Sequence, residues 1–286
     1  MEVKIMEWNI HQQGRWGKRI PLWILDEIPQ DINILTLTEF NGHAENIDEF
    51  YKKIKAMGFY YCNTNYSFKS ANDILIAVRG KEIRVESVSY FKAYPDEPNS
   101  TFCIQWKYIP ENLRVDITVR NKPVTILGIR IKDLGIRIKD LEIDYSSSKI
   151  DYSSRKIEME TVMKWVKEIA NPIVILGDFN NFRVNTRIQD WNLKVLDYLL
   201  GKEFIRKTPA NHSWGLQYSN GQFDGYIKND HLICKNISEY EVENYAWNFV
   251  SNINYQLDDK NRFGQQKAEV PVGDPDHGIL FAKIKI

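Results

Sequence analysis

The sequence has little of what marks several classes of protein. Its three cysteines, Cys62, Cys103 and Cys234, lie far apart inside strand-like runs, which predicts reduced thiols, no disulfides and no cysteine metal site. Lys and Arg total 38, as do Asp and Glu, so the chain is not basic all over like many non-specific nucleic-acid binders. No apolar run is long enough to cross a membrane, and MEVKIMEWNI does not resemble a signal peptide. We therefore expect a cytoplasmic protein, unless a leader has been removed.

No Pro/Gly/Ser-rich stretch marks a linker, and 43% hydrophobic residues can form a large core, so residues 1–286 are predicted to be one domain. A segment near 128–156 is duplicated: GIRIKDL occurs twice in 128–141, and IDYSSSK is followed by IDYSSRK in 143–156. We predict an extended strand or hairpin and then a Ser-rich loop. The segment is either a neutral surface insertion or an arm with a basic edge suited to a phosphate backbone. That edge would carry Arg130, Lys132, Arg137 and Lys139.

Strand-like runs, rich in β-branched and aromatic residues, outnumber helical ones. They cover residues 2–10, 32–40, 73–79, 84–92, 101–109, 112–120, 123–131, 172–179, 230–236, 240–249 and 278–286. Apolar residues recur at helical spacing in 45–57, 156–169 and 188–200. The consecutive strands between 73 and 131 indicate antiparallel meanders, which predicts an α+β fold.

Polar residues stand at the ends of several apolar runs. They are Trp8-Asn9, Thr38-Glu39, Gly177-Asp178-Phe179-Asn180, Asp230-His231 and Asp276-His277. Alone, a strand-final Asp or Asn is more often a turn or helix cap, but five such groups indicate a site that holds a metal or does chemistry. Glu39 with the Asn9 carbonyl suits Mg²⁺, and Asp230 could orient the imidazole of His277. Together these residue types are those needed for metal-assisted attack of water on a phosphoester.

The series WNI, TE, GDFN, NDHL and PDHG resembles the endonuclease/exonuclease/phosphatase superfamily, the fold of exonuclease III and pancreatic deoxyribonuclease. The resemblance runs from Trp8 to Gly278, and GDFN with the terminal Asp-His is its most specific part. It implies a four-layer α/β sandwich in which two central, mainly antiparallel sheets are flanked by helices. The active site is then expected at the shared edge of the sheets.

The resemblance also implies roles for individual residues. Glu39 would be the main ligand of Mg²⁺, with Mn²⁺ as a substitute, helped by Asn9 and Asp276. Asp178 would orient or deprotonate the attacking water, and Asn180 would hold a phosphate oxygen. His277, paired with Asp230 or Asp276, would be the general base or would stabilise the transition state. Further substrate-binding positions would be Asn72 in SANDILIAVR, Arg130, and Arg155 before PIVILGDFN.

One position departs from the family pattern. Many members carry a His at the end of the strand that aligns with VTILGIRI, where this chain has Arg130. Arginine holds phosphate strongly but stays protonated, so it is a poor general acid. His11, two residues after Asn9, is a candidate addition to the site.

Three functions remain open. A Mg²⁺-dependent nuclease acting on DNA or RNA is favoured by basic clusters and by aromatic residues in loop-like segments, where a base could stack. Those aromatic residues are Trp16, Trp191, Trp214 and Tyr218. The alternatives are a phosphatase or phospholipase acting on a lipid, inositol or other small phosphoester, and a catalytically inactive relative kept for binding.

Overall fold

The computed structural model describes residues 1–12, 17–63, 73–91, 112–131, 148–181, 191–218, 223–253, 256–258, 267–269 and 273–286. Its strands are β1 (Glu2–Asn9), β2 (Ile34–Phe40), β3 (Tyr60–Asn63), β4 (Asp73–Val78), β5 (Ile83–Phe91), β6 (Asn112–Val119), β7 (Lys122–Arg130), β8 (Ile173–Asp178), β9 (Ile205–Lys207), β10 (Trp214–Tyr218), β11 (Phe223–Ile227), β12 (Asp230–Lys235), β13 (Glu239–Val242), β14 (Gln256–Asp258), β15 (Lys267–Glu269) and β16 (Leu280–Lys285). The α-helices are α1 (Ile47–Ala56), α2 (Ser148–Val166) and α3 (Leu193–Leu200), and short 3₁₀ helices span Leu22–Glu27 and Asn248–Asn252.

Two sheets of six strands form the centre of the molecule. The first has the order β13-β16-β1-β2-β4-β3 and the second β5-β6-β7-β8-β12-β9. Each contains one parallel pair, β1 with β2 and β7 with β8, and its other pairs are antiparallel. The predicted meander is present as β5-β6-β7.

The sheets pack face to face because alternate residues of their strands are apolar. Ile5, Ile76, Val115 and Leu176 are among the buried residues of the core between them. The opposite face of the first sheet packs on α1 and the first 3₁₀ helix, through residues such as Leu37, Phe50 and Ile24. The opposite face of the second sheet packs on α2 and α3. The four layers confirm the predicted α+β sandwich.

A third, smaller sheet with the order β11-β10-β15-β14 was not predicted from the sequence. It meets the central sheets where Trp214 forms an isolated β-bridge with His277. Its strands are short, between three and five residues, so their alternation of apolar and polar residues is too brief to detect.

Three predicted segments differ from the structure. Residues 240–249 do not form one strand, because the chain leaves the sheet after Val242 and ends in a 3₁₀ helix. The second Ser-rich copy, 150–156, is helical rather than a loop, since α2 begins at Ser148. The helix expected over 188–200 begins at Leu193, where the Asn192 side chain accepts the N–H groups of Lys194 and Val195.

Other predictions lie outside the described residues. These are the strand at 101–109, most of the duplicated segment, Cys103, Trp16 and Asn72. Cys62 and Cys234 are free thiols. Among the described residues, none of the helices has the length and apolarity needed to cross a membrane.

Candidate active site

Asn9 and Glu39 are brought together by the parallel pairing of β1 and β2. Asn9 Nδ2 lies 3.2 Å from Glu39 Oε1, as expected for side chains at neighbouring strand ends. The ladder between β2 and β4 is irregular between Leu37 and Phe40, and Glu39 has a left-handed φ of 50°. Non-glycine residues hold this conformation only where the surroundings impose it, often at functional sites. Here it accompanies a Glu39 side chain that is only 7% exposed.

Asp178 ends β8 on the facing sheet and closes the same site. Asn9 Nδ2 donates to Asp178 Oδ2 at 3.0 Å, which links the two sheets directly. The glycine before Asp178 is required by backbone packing, because a Cβ on Gly177 would lie 1.8 Å from the carbonyl oxygen of Ile129. Gly177 also has a φ of 142°, a conformation that other residues rarely adopt. This explains the Gly in GDFN.

A His–Asp pair completes the site from the other strands. Asp230 begins β12 and lies opposite Asp178 in the antiparallel ladder. Its Oδ2 is 2.8 Å from Nδ1 of His277, whereas Asp276 Oδ1 is 3.9 Å from Nε2. Of the two partners left open by the sequence, Asp230 is therefore the one that hydrogen-bonds the imidazole. Trp8 Nε1 donates to the His277 carbonyl at 2.8 Å and fixes its backbone.

Arg130 enters the site from the end of β7, beside Asp178 in the parallel ladder. Its Nη2 donates to Glu39 Oε1 at 2.5 Å, and its Nε lies 4.0 Å from Asp178 Oδ2. The guanidinium is buried, with 7% of the side chain exposed. A fixed positive charge thus stands between two carboxylates of the site.

The charges of the site differ from one group to the next. Burial raises the pKa of Asp178 to about 7, with Asp230 adding to the rise and His277 and Arg130 opposing it. Burial would also raise the pKa of Glu39, but the positive charge of Arg130 and the nearby His11 outweigh it and lower the pKa to about 2. For His277, the cost of burying the charge is exceeded by attraction to Asp230, which holds its pKa well above the usual range. At neutral pH, Glu39 is therefore ionised, His277 is protonated and Asp178 titrates.

The side-chain amides of Asn9 and Asn180 form hydrogen bonds within the protein. The Asn9 Oδ1, expected as a metal ligand, accepts the backbone N–H of His11 at 3.0 Å, so its NH₂ faces the carboxylates. The Asn180 NH₂, expected on a phosphate oxygen, donates to Asp178 Oδ2 at 3.1 Å and to the Ile131 carbonyl at 2.6 Å. In this structure both amides orient Asp178.

Two carboxylates have oxygens suited to a hard cation. Glu39 Oε2 and Asp276 Oδ1 are buried and have no hydrogen-bond partner. Asp276 is held through its other oxygen by Trp214 Nε1 at 3.0 Å. In the described part of the chain, no three His, Cys, Asp or Glu side chains form a metal-binding group by themselves. Mg²⁺ usually takes only one or two carboxylates and keeps several waters, and each of these oxygens is of the type that it binds.

Two other predicted residues lie behind the site. Arg155 is 1% exposed and donates from Nη1 to the Asn180 carbonyl at 3.0 Å, so it supports the turn after β8 instead of facing substrate. Trp191, predicted to offer a stacking surface, is fully buried and donates to the Phe179 carbonyl at 3.0 Å. Trp214 is partly exposed at the site, where it contacts Asp276.

Sequence reasoning missed a buried carboxyl group, Glu7. Glu7 has no exposed surface, and among the residues that the structure describes only Thr38 Oγ1, at 3.4 Å, is within hydrogen-bond range of its carboxyl. Burial, with Asp230 adding to it, raises the pKa of Glu7 well above the usual range. The signal was present in the alternation of Val3, Ile5, Glu7 and Asn9, which places Glu7 on the strand face that packs against the other sheet.

His11 and His231 also lie close to the site. His11 Nε2 is 3.8 Å from Asp276 Oδ2, and its Nδ1 contacts the Asp274 carbonyl at 3.1 Å. His231 is fully buried and connects Thr208, at 3.0 Å, with Asn181, at 3.2 Å, beneath the turn that carries Asn180. Burial lowers the pKa of His231 well below the usual range, so it is a neutral structural residue.

Comparison with known proteins identifies the fold. A scan of protein-family models gave no match, nor did a search of curated proteins. Solved structures do match. TDP2 from D. rerio, complexed with single-strand DNA product, has a TM-score of 0.59 at 10% identity over 100% of this chain and 99% of that chain. Truncated TDP2 from Caenorhabditis elegans has a TM-score of 0.60 at 14% identity over 100% and 98%.

A third structure carries the superfamily name. The endonuclease/exonuclease/phosphatase family protein from Bacteroides thetaiotaomicron has a TM-score of 0.57 at 14% identity, over 99% of this chain and 97% of that chain. The chain therefore has the deoxyribonuclease I-like fold of the endonuclease/exonuclease/phosphatase superfamily, and the resemblance noted in the sequence is confirmed at the level of the fold. At identities this low, the likeness shows the fold and does not fix the substrate.

Proposed function

We propose that the protein is a Mg²⁺-dependent phosphodiesterase, a nuclease that cleaves DNA or RNA by attack of water on phosphorus. The observation that carries the proposal is the buried His277–Asp230 pair, at 2.8 Å, in one site with Glu39 and Asp178. A catalytically inactive binding protein would have no need to bury these charges together, since uncompensated buried charge costs stability. Mn²⁺ is expected to substitute for Mg²⁺.

Each residue of the site has a separate proposed role. Glu39 Oε2 and Asp276 Oδ1 would hold the divalent ion, which supplies positive charge to a phosphate oxygen. Asp178, with a pKa of about 7, is suited to accept the proton of the attacking water. Asn9 and Asn180 fix its carboxylate by donating to Oδ2.

His277 stabilises the negative charge on the phosphoryl oxygens in the transition state. Its Nδ1–H is held by Asp230 Oδ2 at 2.8 Å, so the protonated ring presents Nε2–H to the site. A protonated donor whose pKa is raised well above the usual range is suited to hold a phosphoryl oxygen in the transition state and a poor general base at neutral pH. The proposal therefore gives the base role to Asp178.

Nucleic acid is the proposed substrate because Arg130 offers a buried guanidinium for a phosphodiester and because a protein of the same fold has been crystallised with single-strand DNA product. A small phosphoester remains the alternative to be tested in the same experiment.

A cleavage assay tests the proposal. Purified protein is incubated with Mg²⁺ or with chelator on plasmid DNA, structured RNA and a small phosphodiester, and His277→Ala and Glu39→Gln are compared with wild type. We expect nucleic-acid cleavage that is lost with chelator and lowered at least about 100-fold in both variants. His43→Ala and Glu45→Gln, which change exposed residues of the same two types, serve as matched controls.

The outcomes separate the candidates. Cleavage confined to the small phosphodiester would replace the nuclease by a phosphatase-type enzyme. Activity unchanged by chelator and by Glu39→Gln would contradict the metal site. Loss of activity in the two control variants as well would show that the effects are not specific to the site.

A further inference from the structure

The two oxygens of the Glu39 carboxylate have different surroundings. Oε1 accepts hydrogen bonds from Arg130 Nη2 at 2.5 Å and from Asn9 Nδ2 at 3.2 Å. Oε2 is buried and has no hydrogen-bond partner. The carboxylate is thus already half neutralised by a guanidinium while its other oxygen is available to a cation. A divalent ion at Oε2 would share this carboxylate with Arg130.

Arg130 is held where it is. Its backbone N–H donates to Asn112 Oδ1 at 3.2 Å, and its strand pairs with β8 up to Asp178. With its Nε 4.0 Å from Asp178 Oδ2, the guanidinium lies beside both Glu39 and Asp178. A buried positive charge this close repels a second cation strongly, since little water screens the pair.

A phosphodiester changes this balance. Its negative charge can be held bidentately by a guanidinium, for which phosphate is a good geometric match. When Arg130 forms part of its hydrogen bonds with the phosphate, it competes less with the divalent ion for the Glu39 carboxylate. The added negative charge also offsets the repulsion between Arg130 and the ion. Phosphate and divalent ion should then favour each other.

We propose, building on the proposed function, that Arg130 opposes divalent-ion binding at Glu39 in the free protein and couples it to phosphodiester binding. The ion binds weakly alone and more tightly when a phosphodiester occupies the site. By linkage, the ion must strengthen phosphodiester binding by the same factor. Arg130 would thereby favour binding of the metal ion together with the substrate over binding of the ion alone.

Calorimetric titration of Mn²⁺, with and without dimethyl phosphate, tests the coupling without turnover. For the wild type we expect dimethyl phosphate to tighten Mn²⁺ binding by about tenfold. Arg130→Gln should bind Mn²⁺ alone about tenfold more tightly, bind dimethyl phosphate more weakly and lose the coupling. If Arg130 were only structural, Arg130→Gln would bind both ligands more weakly. Tighter binding of Mn²⁺ together with weaker binding of dimethyl phosphate therefore distinguishes the proposed role from a structural one.

Arg120→Gln is the matched control, because Arg120 is an exposed guanidinium paired with Glu82 at 2.7 Å and its loss changes the net charge equally. It should bind both ligands like the wild type. Mn²⁺ binding that is equal or weaker in Arg130→Gln overturns the inference and leaves the proposed function standing. Absence of Mn²⁺ binding to the wild type under both conditions overturns the inference together with the proposed metal dependence. If Arg130→Gln does not fold, the wild-type titrations decide alone, and no tightening by dimethyl phosphate overturns the inference.

Discussion

Single residues at the site have pKa values shifted by burial and by neighbouring charges, which makes the stability of the protein depend on pH. Glu7 is the clearest case, since its carboxyl is buried between the sheets and its pKa is raised above the value of 4.5 by burial and by Asp230. Such a group binds a proton more readily in the folded protein than in the unfolded one. Its contribution to stability is therefore most favourable below pH 4.5 and is lost as the pH rises toward the folded pKa.

Glu7→Gln is expected to increase the free energy of unfolding at pH 8. The amide has nearly the same shape and no proton to lose, so it avoids the cost of ionisation. The gain should shrink as the pH falls toward 4.5, by at most about 1.4 kcal/mol per pH unit. Urea unfolding of both proteins from pH 4.5 to 8 measures it, and a variant that is equally destabilised at all pH values would contradict the assignment of a protonated Glu7.

Gly177 is the residue whose replacement should be most damaging to the backbone of the site. A methyl group there would meet the Ile129 carbonyl oxygen at 1.8 Å, so β7 and β8 would have to separate. We expect Gly177→Ala to lower the free energy of unfolding by about 3 kcal/mol or more. Gly201→Ala, at another positive φ but with nothing within 4 Å, is the control and should cost less.

At the scale of elements, the Arg155 side chain of α2 contacts the turn after β8. Arg155 donates to the carbonyl of Asn180, whose amide in turn orients Asp178. Arg155→Met, which keeps an apolar stem but no donor, should lower turnover about tenfold or more while leaving substrate affinity nearly unchanged, because Arg155 does not face the site. Steady-state kinetics measure kcat and KM separately. A rise in KM alone would return Arg155 to the substrate-binding role predicted from the sequence.

The duplicated segment is a second element to be tested. Deleting residues 135–141 removes one copy of GIRIKDL with Arg137 and Lys139. If the segment is a basic arm, binding to long polyanions should weaken and become less dependent on salt, since fewer counterions are released. Binding of a 30-nucleotide single strand at several salt concentrations distinguishes the arm from a neutral insertion, for which no change is expected.

Elements with a long, regular pattern of apolar residues could be predicted from the sequence. Features that depend on tertiary contacts, such as side-chain orientation and burial, could not. Strands such as β1, β2 and β8 are apolar runs, and their ends carried the residues that the structure brings together. The orientation of Asn9 could not be predicted, because it depends on the backbone N–H of His11 two residues later. The burial of Trp191 was missed because a tryptophan before a capping Asn looks like a loop residue until α3 packs against it.

At the scale of the whole molecule, the site exists only when the two sheets are packed. Asn9 and Glu39 belong to the first sheet, and Asp178, Asp230 and Arg130 to the second. We expect activity to be lost in the same range of urea as the global unfolding transition, because the complete site needs residues from both sheets. Tryptophan fluorescence, to which the fully buried Trp8 contributes, reports the unfolding. Activity lost well below that transition would show that the site opens independently.

The single domain over residues 1–286 stays a prediction that this experiment also addresses, since two domains would give two transitions.

The crowding of carboxyl groups between the sheets has a consequence for directed evolution. Glu7, Glu39, Asp178 and Asp230 are all buried there. Selecting a library for heat resistance without selecting for catalysis should therefore enrich neutral replacements early at Glu7 and Asp178, because burial raises the pKa of both carboxyl groups. The positions replaced in the thermostable variants would then coincide with the proposed active site, because its buried charged groups reduce stability.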